Sequence, residues 1–478
     1  MPLGPAYRPS IRHADLGPAF YDVVAPAPFP KHVLRWRNQR WAAQVGLGPL
    51  TDDEWIAHFG RFAPLPGSFP EPLALRYHGH QFRTYNPHLG DGRGFLFAQL
   101  EAADGRLLDL GTKGSGRTPW SRSADGRLTL KGGVREILAT ELLEAQGVDT
   151  SKSFSLIETG EELERGDEPS PTRSAVLVRL SHSHIRIGTF QRLLYLDEQD
   201  NLVRLLDHTV RTYMPQAWRE ETPARAVAFL EEVCGRVARL GAQWMAAGFV
   251  HGVLNTDNIN VTGESFDYGP WRWLPVLDPA FTAAYFDETG LYAYGRQPDT
   301  LLWNLTRLAE CLLAVAPPAE LEGALRSFEP ALHREFAGAL IRRLGLRPTG
   351  TERDGALARA FWTFLQATKA PFEQAFFDWY GGLPSAARAA AGPSRTFYDH
   401  AAFGAVRDAL TAFPPAAEAR LEHPYFARHA PCTMLIDEVE ALWAPIAAAD
   451  DWGAFAAKIE AVREMGEAYG NAPPDAPA

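Results

Sequence analysis

Cysteine is scarce in this 478-residue sequence: Cys234, Cys311 and Cys432 are the only three, and none lies in a Cys-x-x-Cys pair. That excludes a disulfide-stapled scaffold and a cysteine-built zinc site, and it fits a reducing compartment. Long apolar runs are missing too. No stretch approaches the roughly 18 apolar residues of a membrane span, and no signal-peptide core opens the chain. A cytoplasmic protein with no membrane partner is the expectation. Positive charge is in deficit, 47 Lys and Arg against 58 Asp and Glu for a net charge of -11. A nucleic-acid partner is therefore not expected, because such a surface needs a basic excess. Internal repeats are absent, and the length suffices for a large core in two or three units.

What the sequence does hold is a short polar run with a chemical logic. Val250 to Val261 contains His251, then Asp257 beside Asn258, and Asp267-Tyr268-Gly269 follows soon after. Two carboxylates and an amide supply hard oxygen ligands, together with a candidate base, for Mg²⁺-nucleotide chemistry. A protein kinase writes this set as His-Arg-Asp with a downstream Asn, then Asp-Phe-Gly. Here Gly252 stands in the place of the Arg, and the acidic residue has moved next to the Asn.

Upstream lies a second half-site. Gly94–Leu100 and Leu107–Thr112 are apolar runs separated by Asp104-Gly105, which predicts a β-hairpin leading into Lys113. Val134, Ile137, Leu138, Leu142 and Ala145 then recur at helical spacing, with Glu136 off that stripe. A strand Lys paired with a helix Glu holds nucleotide phosphates in kinase small lobes. Alone, either residue would read as a solvated surface charge. Their order along the chain, ahead of the Asp257 segment, is what favours the catalytic reading. Arg179 closes the run Ala175-Val176-Leu177-Val178, so a rigid strand places its fork-shaped cation.

Further blocks identify the chain as similar to the selenoprotein O family of protein adenylyltransferases. They are Tyr77-His78-Gly79-His80-Gln81-Phe82, Asn86-Pro87-His88-Leu89-Gly90-Asp91-Gly92-Arg93-Gly94, Leu110-Gly111-Thr112-Lys113-Gly114-Ser115-Gly116-Arg117-Thr118-Pro119, Ser183-His184-Ile185-Arg186 and Arg296-Gln297-Pro298. The resemblance implies a kinase-like fold that binds ATP turned round, so that the α-phosphate faces the acceptor. AMP would pass to Ser, Thr or Tyr of proteins, including the enzyme itself, and pyrophosphate would leave. By the same resemblance Gly90, Gly92, Arg93, Lys113, Asp125, Gly126, Arg179, Arg186 and Asp267 contact the nucleotide, and Glu136 pairs with Lys113. Asp257 is then the general base, and Asn258 and Asp267 hold Mg²⁺ or Mn²⁺. The chain departs from the family pattern at Arg83, usually small, and at Trp120, usually Tyr. It also lacks a C-terminal Cys, so redox control through one is not expected.

The expected architecture is α+β: a two-lobe kinase-like fold with an N-terminal extension over residues 1–70 and a small lobe over 71–190. A large helical lobe with a C-terminal extension fills 191–478. Three other readings remain open at this point: UMP transfer, ordinary kinase activity, and a catalytically silent nucleotide-binding scaffold. The complete set Lys113, Glu136, Asp257, Asn258 and Asp267 weighs against the last.

Overall fold

The computed structural model describes residues 3–471, apart from the Ala419 side chain. Its first 70 residues are woven into the main sheet. Strands β1 (Pro9–Ser10), β2 (Tyr21–Val23) and β3 (Val33–Arg37) come from this segment, followed by helices α1 (Gln39–Gln44) and α2 (Asp52–Phe59). Thr51 starts α2 with a capping box: its hydroxyl accepts from the Glu54 N–H, and the Glu54 carboxylate accepts from the Thr51 N–H.

Next come β4 (Leu73–Leu75), a small separate hairpin of β5 (Gly79–Gln81) and β6 (Thr84–Asn86), then β7 (Leu96–Glu101), β8 (Leu107–Lys113) and β9 (Leu128–Thr129). Helix α3 (Leu130–Ala145) crosses to β10 (Lys152–Leu163) and β11 (Thr172–Ser181). Among the described residues these strands form a curled nine-stranded antiparallel sheet in the order β2-β4-β7-β8-β11-β10-β3, with β1 on β7 and β9 on β11.

Both faces of the sheet are covered, which is why its central strands read as continuous apolar runs. Along β11, Val176, Val178 and Leu180 join a core with Trp55 and Phe59 of α2. The alternate residues Ala175 and Leu177 pack with Val134, Ile137 and Leu138 of α3. Arg179 shares the parity of that second set, so the two-residue period of the strand aims it toward α3.

Helices dominate the rest: α4 (Ile187–Tyr195), α5 (Gln199–Tyr213), α6 (Thr222–Ala247), then β12 (Phe249–His251) paired with β13 (Trp271–Trp273), and α7 (Gln297–Leu312). Helix α6 ends where Gly248 adopts a left-handed φ of 67°, a conformation that glycine takes without penalty. That stop delivers the chain straight into β12 and the polar run after it. Helix α8 (Pro318–Arg326) packs Leu321 and Ala324 into the core shared with α3 and α6, and α9 (Phe328–Arg343), α10 (Thr351–Thr368), α11 (Phe372–Asp378), α12 (Ala386–Ala391) and α13 (Ala402–Leu410) build a second core around Phe361, Phe364 and Phe376.

The last two helices, α14 (Ile436–Ala449) and α15 (Gly453–Tyr469), return to the beginning of the molecule. Arg463 of α15 forks onto Glu141 of α3 at 2.9 and 3.2 Å, and Lys131 of α3 meets Glu440 of α14 at 2.7 Å. Phe455 packs edge-on against Trp36 of β3. Thirteen of the sixteen residues of α3 are consequently buried, Glu136 and Glu141 among them. Cys234, Cys311 and Cys432 are free thiols, all buried. No helix among the described residues is long and apolar enough to cross a membrane.

Candidate active site

Four charged side chains meet between β8, α3, β11 and the loop before β13. Lys113 Nζ lies 2.8 Å from Glu136 Oε2 and 3.0 Å from Asp267 Oδ1. Arg179 reaches the same two carboxylates, with Nη2 3.2 Å from Glu136 Oε2 and 2.7 Å from Asp267 Oδ1, and its Nε also donates to Glu136. Register explains the meeting. Leu177 pairs with Lys113 and Arg179 with Gly111, so Lys113 and Arg179 are diagonal neighbours on one face. Two cations alternate with two anions, which is how charges survive burial.

Glu136 is wholly buried, whereas the Asp267 side chain keeps 27% exposure. Asp267 also has a φ of 61°, an uncommon left-handed backbone for a residue with a side chain. Desolvation pushes its carboxyl up, but Lys113, Arg179, Arg93 and Arg186 outweigh that and hold it well below the usual carboxylate range. The Lys113 ammonium is lowered, chiefly by burial, although Asp267 and Glu136 support it.

Asp257 lives in the opposite environment. It sits in a single helical turn, Thr256–Asn258, after β12, and it is buried. Its Oδ1 has no hydrogen-bond partner. Burial pushes its carboxyl up to about 7, Arg186 pulls back, and Asp267 adds to the rise. Gly79 of β5 stands against it; a Cβ there would lie 2.8 Å from Oδ1. The turn is fixed from several sides. The Thr256 hydroxyl accepts from the His80 N–H at 2.7 Å and donates to Gln191, and Asn255 Oδ1 accepts from the Phe82 N–H and the Tyr292 hydroxyl. Asn258 donates its Nδ2 to the Val253 carbonyl at 3.0 Å, and its Oδ1 has no partner among the described residues.

Arg186 bridges the two halves. Its Nη1 donates to the Asp257 carbonyl at 3.3 Å and its Nη2 to Asp91 Oδ1 at 3.2 Å, while its guanidinium lies between the rings of Tyr77 and Phe266. Stacking between rings keeps a buried guanidinium favourable without consuming all its donors, and Nε is unpartnered.

The structure thus brings Lys113, Glu136, Arg179 and Asp267 into one ion-paired cluster, and sets Arg186 and Asp257 close enough for their charges to act on Asp267 and on each other. Arg93 is exposed at its edge, and its charge acts on Lys113 and Asp267. Gly90 and Gly92 have a packing reason to be glycine: both lie against Trp120, where a Cβ would strike the indole or the backbone. Asp125 and Gly126 stand apart. Asp125 pairs with Arg165 at 2.8 Å and accepts from the Arg127 N–H, and Gly126 uses its carbonyl for the Gly116 N–H. Sequence reasoning missed Asp91 and Tyr77 as holders of Arg186. Asp91 lay in plain view between two glycines, but its partner is 95 residues away.

The donor set suits a nucleotide with a divalent cation. Asn258 and Asp267 offer oxygens, and no group of three or more His, Cys, Asp or Glu suited to a metal exists among the described residues. A cation that shares its shell with phosphate and water needs no such cluster. Lys113, Arg179 and Arg186 are three cations of the kind that a polyphosphate requires.

Comparison with known proteins decides the family. A family model described as protein adenylyltransferase SelO matches residues 5–463. The chain belongs to the SelO family. A Gloeobacter violaceus relative, protein nucleotidyltransferase YdiU, is 46% identical over 462 residues, covering 94% of this chain and 93% of its own. The YdiU proteins of Trichormus variabilis and Vibrio cholerae are 49% and 39% identical, covering 78% and 74% of this chain and 76% and 71% of theirs. All the assembled charges lie inside the span matched to SelO.

Proposed function

We propose that this SelO-family chain is a protein adenylyltransferase, moving AMP from ATP to hydroxyl side chains of proteins, itself included, and releasing pyrophosphate. The observation that carries the reading is the opposite treatment of two nearby carboxylates: Asp257 is held near neutrality with a free oxygen, and Asp267 is held ionised by two cations. A base must accept a proton at working pH, whereas a metal ligand must stay charged.

In this reading the molecule is a two-lobe kinase-like enzyme, residues 71–190 forming the small lobe and 191–478 the large one with its C-terminal extension. Residues 1–70 belong with the small lobe, a view supported by their strands in its sheet. Lys113, Arg179 and Arg186 bind phosphate oxygens, with Arg93 at the rim and the backbone of Gly90 and Gly92 alongside. Asp125 and Gly126 would meet the far end of the nucleotide, a placement supported by partners, Arg165, Arg127 and Gly116, that lie outside the charge cluster. Asn258 and Asp267 would hold Mg²⁺ or Mn²⁺, which when bound neutralises phosphate charge on the leaving group. Asp257 takes the acceptor proton as the acceptor oxygen bonds to the α-phosphorus and the bond to the β-phosphate oxygen breaks.

Incubation with ATP labelled at the α- or the γ-phosphate tests this. Label from α alone should become covalently attached to protein. Label from γ alone would make the chain a kinase, preference for α-labelled UTP would make it a uridylyltransferase, and no label would leave a silent scaffold.

A further inference from the structure

The hairpin of β5 and β6 turns through Phe82 and Arg83, with φ of 47° and 64°. A two-residue hairpin turn with both residues left-handed suits Asn and Gly, and a bulky pair there is strained. Strain of this kind persists where the residues have a task. Phe82 nevertheless remains 40% exposed. Its ring lies 5.9 Å from that of Phe286, itself 45% exposed, and Phe286 lies 5.3 Å from Tyr285, which is 86% exposed. Three large aromatic side chains from two distant segments therefore form one part-exposed shelf, with the inner side of Phe82 resting 5.0 Å from the buried Tyr292 ring. Tyr285 also lines a cleft of about 650 Å³ with Glu288 and Arg296.

The shelf is tied to the site by the hairpin itself. Gly79, three residues before Phe82, touches Asp257, and the Phe82 N–H donates to Asn255 within the Asp257 segment. Three strand residues span roughly 10 Å, the reach of a few residues of an extended peptide. We propose that Phe82, Phe286 and Tyr285 form the docking shelf for the protein acceptor, taking a large apolar residue within a few positions of the hydroxyl that receives AMP. This rests on the transfer reading, because it places the acceptor oxygen at Asp257. Exposed apolar surface marks a binding site more than a folding remnant, and here the strained turn that carries Phe82 is hydrogen-bonded to the segment holding Asp257.

A peptide pool with a fixed central Ser, Thr or Tyr and degenerate flanks, incubated with α-labelled ATP, tests the shelf. The full chain should favour Phe, Leu or Trp over Ser several-fold at one flanking position. Phe82→Gly and Phe286→Ser should flatten that preference and leave the KM for ATP unchanged. Phe82→Gly should also melt at the same temperature or higher, because glycine relieves the turn. No apolar preference in the parent, or the same preference in both variants, would overturn the proposal. So would a Phe82→Gly chain that melts lower and loses ATP binding, since the ring would then be a prop. Running the pool with γ-labelled ATP separates the two ideas: label arriving only from γ removes the AMP reading, while the flanking preference still decides the shelf.

Discussion

Asp257 and Asp267 lie ten positions apart on either side of one short loop, and the fold treats them in opposite ways. Asp267 is gripped by Lys113 and Arg179, and Asp257 faces Arg186 only through its carbonyl while its Oδ1 goes unpartnered. One carboxylate stabilises the folded state by being charged; the other does so by being protonated. The difference teaches that roles within a pair of like residues are set by neighbours and burial, not by residue type.

The largest test of the comparison is Asp267→Ala. Transfer should fall by about three orders of magnitude or more, with metal-dependent nucleotide binding lost, because a metal ligand serves both binding and turnover. Scintillation counting of α-label and a nucleotide titration with and without Mg²⁺ measure the two losses. Retained transfer in this variant would break the assignment. Next comes Asp257→Asn, for which turnover should drop about 10²- to 10⁴-fold with nucleotide affinity largely kept. Equal losses of affinity in the two variants would erase the contrast.

Stability against pH sharpens it further. The folded carboxyl of Asp257, at about 7, lies above its ordinary 3.8, so the native state holds a proton that the unfolded chain has lost. Stability therefore declines as pH rises through that window. Asp257→Asn should melt above the parent at pH 8, by an amount worth up to a few kcal/mol, and match it near pH 4. Asp267 carries the reverse sign: its folded carboxyl is depressed, its contribution is present above 3.8, and it fades as pH falls further. Asp267→Asn should thus be destabilised at pH 7 and progressively less so in acid. Melting curves at three pH values suffice. The smallest effect is Arg83→Gly, which should gain about 1 kcal/mol by relieving a left-handed residue and leave both carboxylates unaltered.

Features fixed by neighbours in sequence were legible from the sequence. The β7–β8 hairpin was readable because its turn sits at Asp104-Gly105, with Gly105 at a φ of 82°. The end of α6 at Gly248 is a local signal of the same kind, a glycine with left-handed φ closing a helix. Lys113, Glu136 and Asp267 emerged because their order along the chain matched a known chemistry, and the structure adds that Arg179 doubles the grip on both carboxylates. Contacts across long separations stayed hidden. Strands of two to five residues from the first 70 positions carry too little periodic signal to announce partners such as β4, β7 and β10. Strand β10 runs on through Leu163, since Glu162 and Leu163 pair with Arg173 and Thr172 far from the strand's central register. The return of α14 and α15 to α3 likewise rests on ion pairs more than 300 residues apart, for which no local pattern exists.

That return has a consequence for the order in which the molecule is made. A ribosome delivers Glu136 more than 300 residues before Arg463, yet Arg463 holds the same helix that presents Glu136 to Lys113. A nascent chain that stops before Gly453 leaves one flank of α3 bare and Glu141 without the Arg463 fork. The ion-paired support of α3 is thus completed only once α15 has been made.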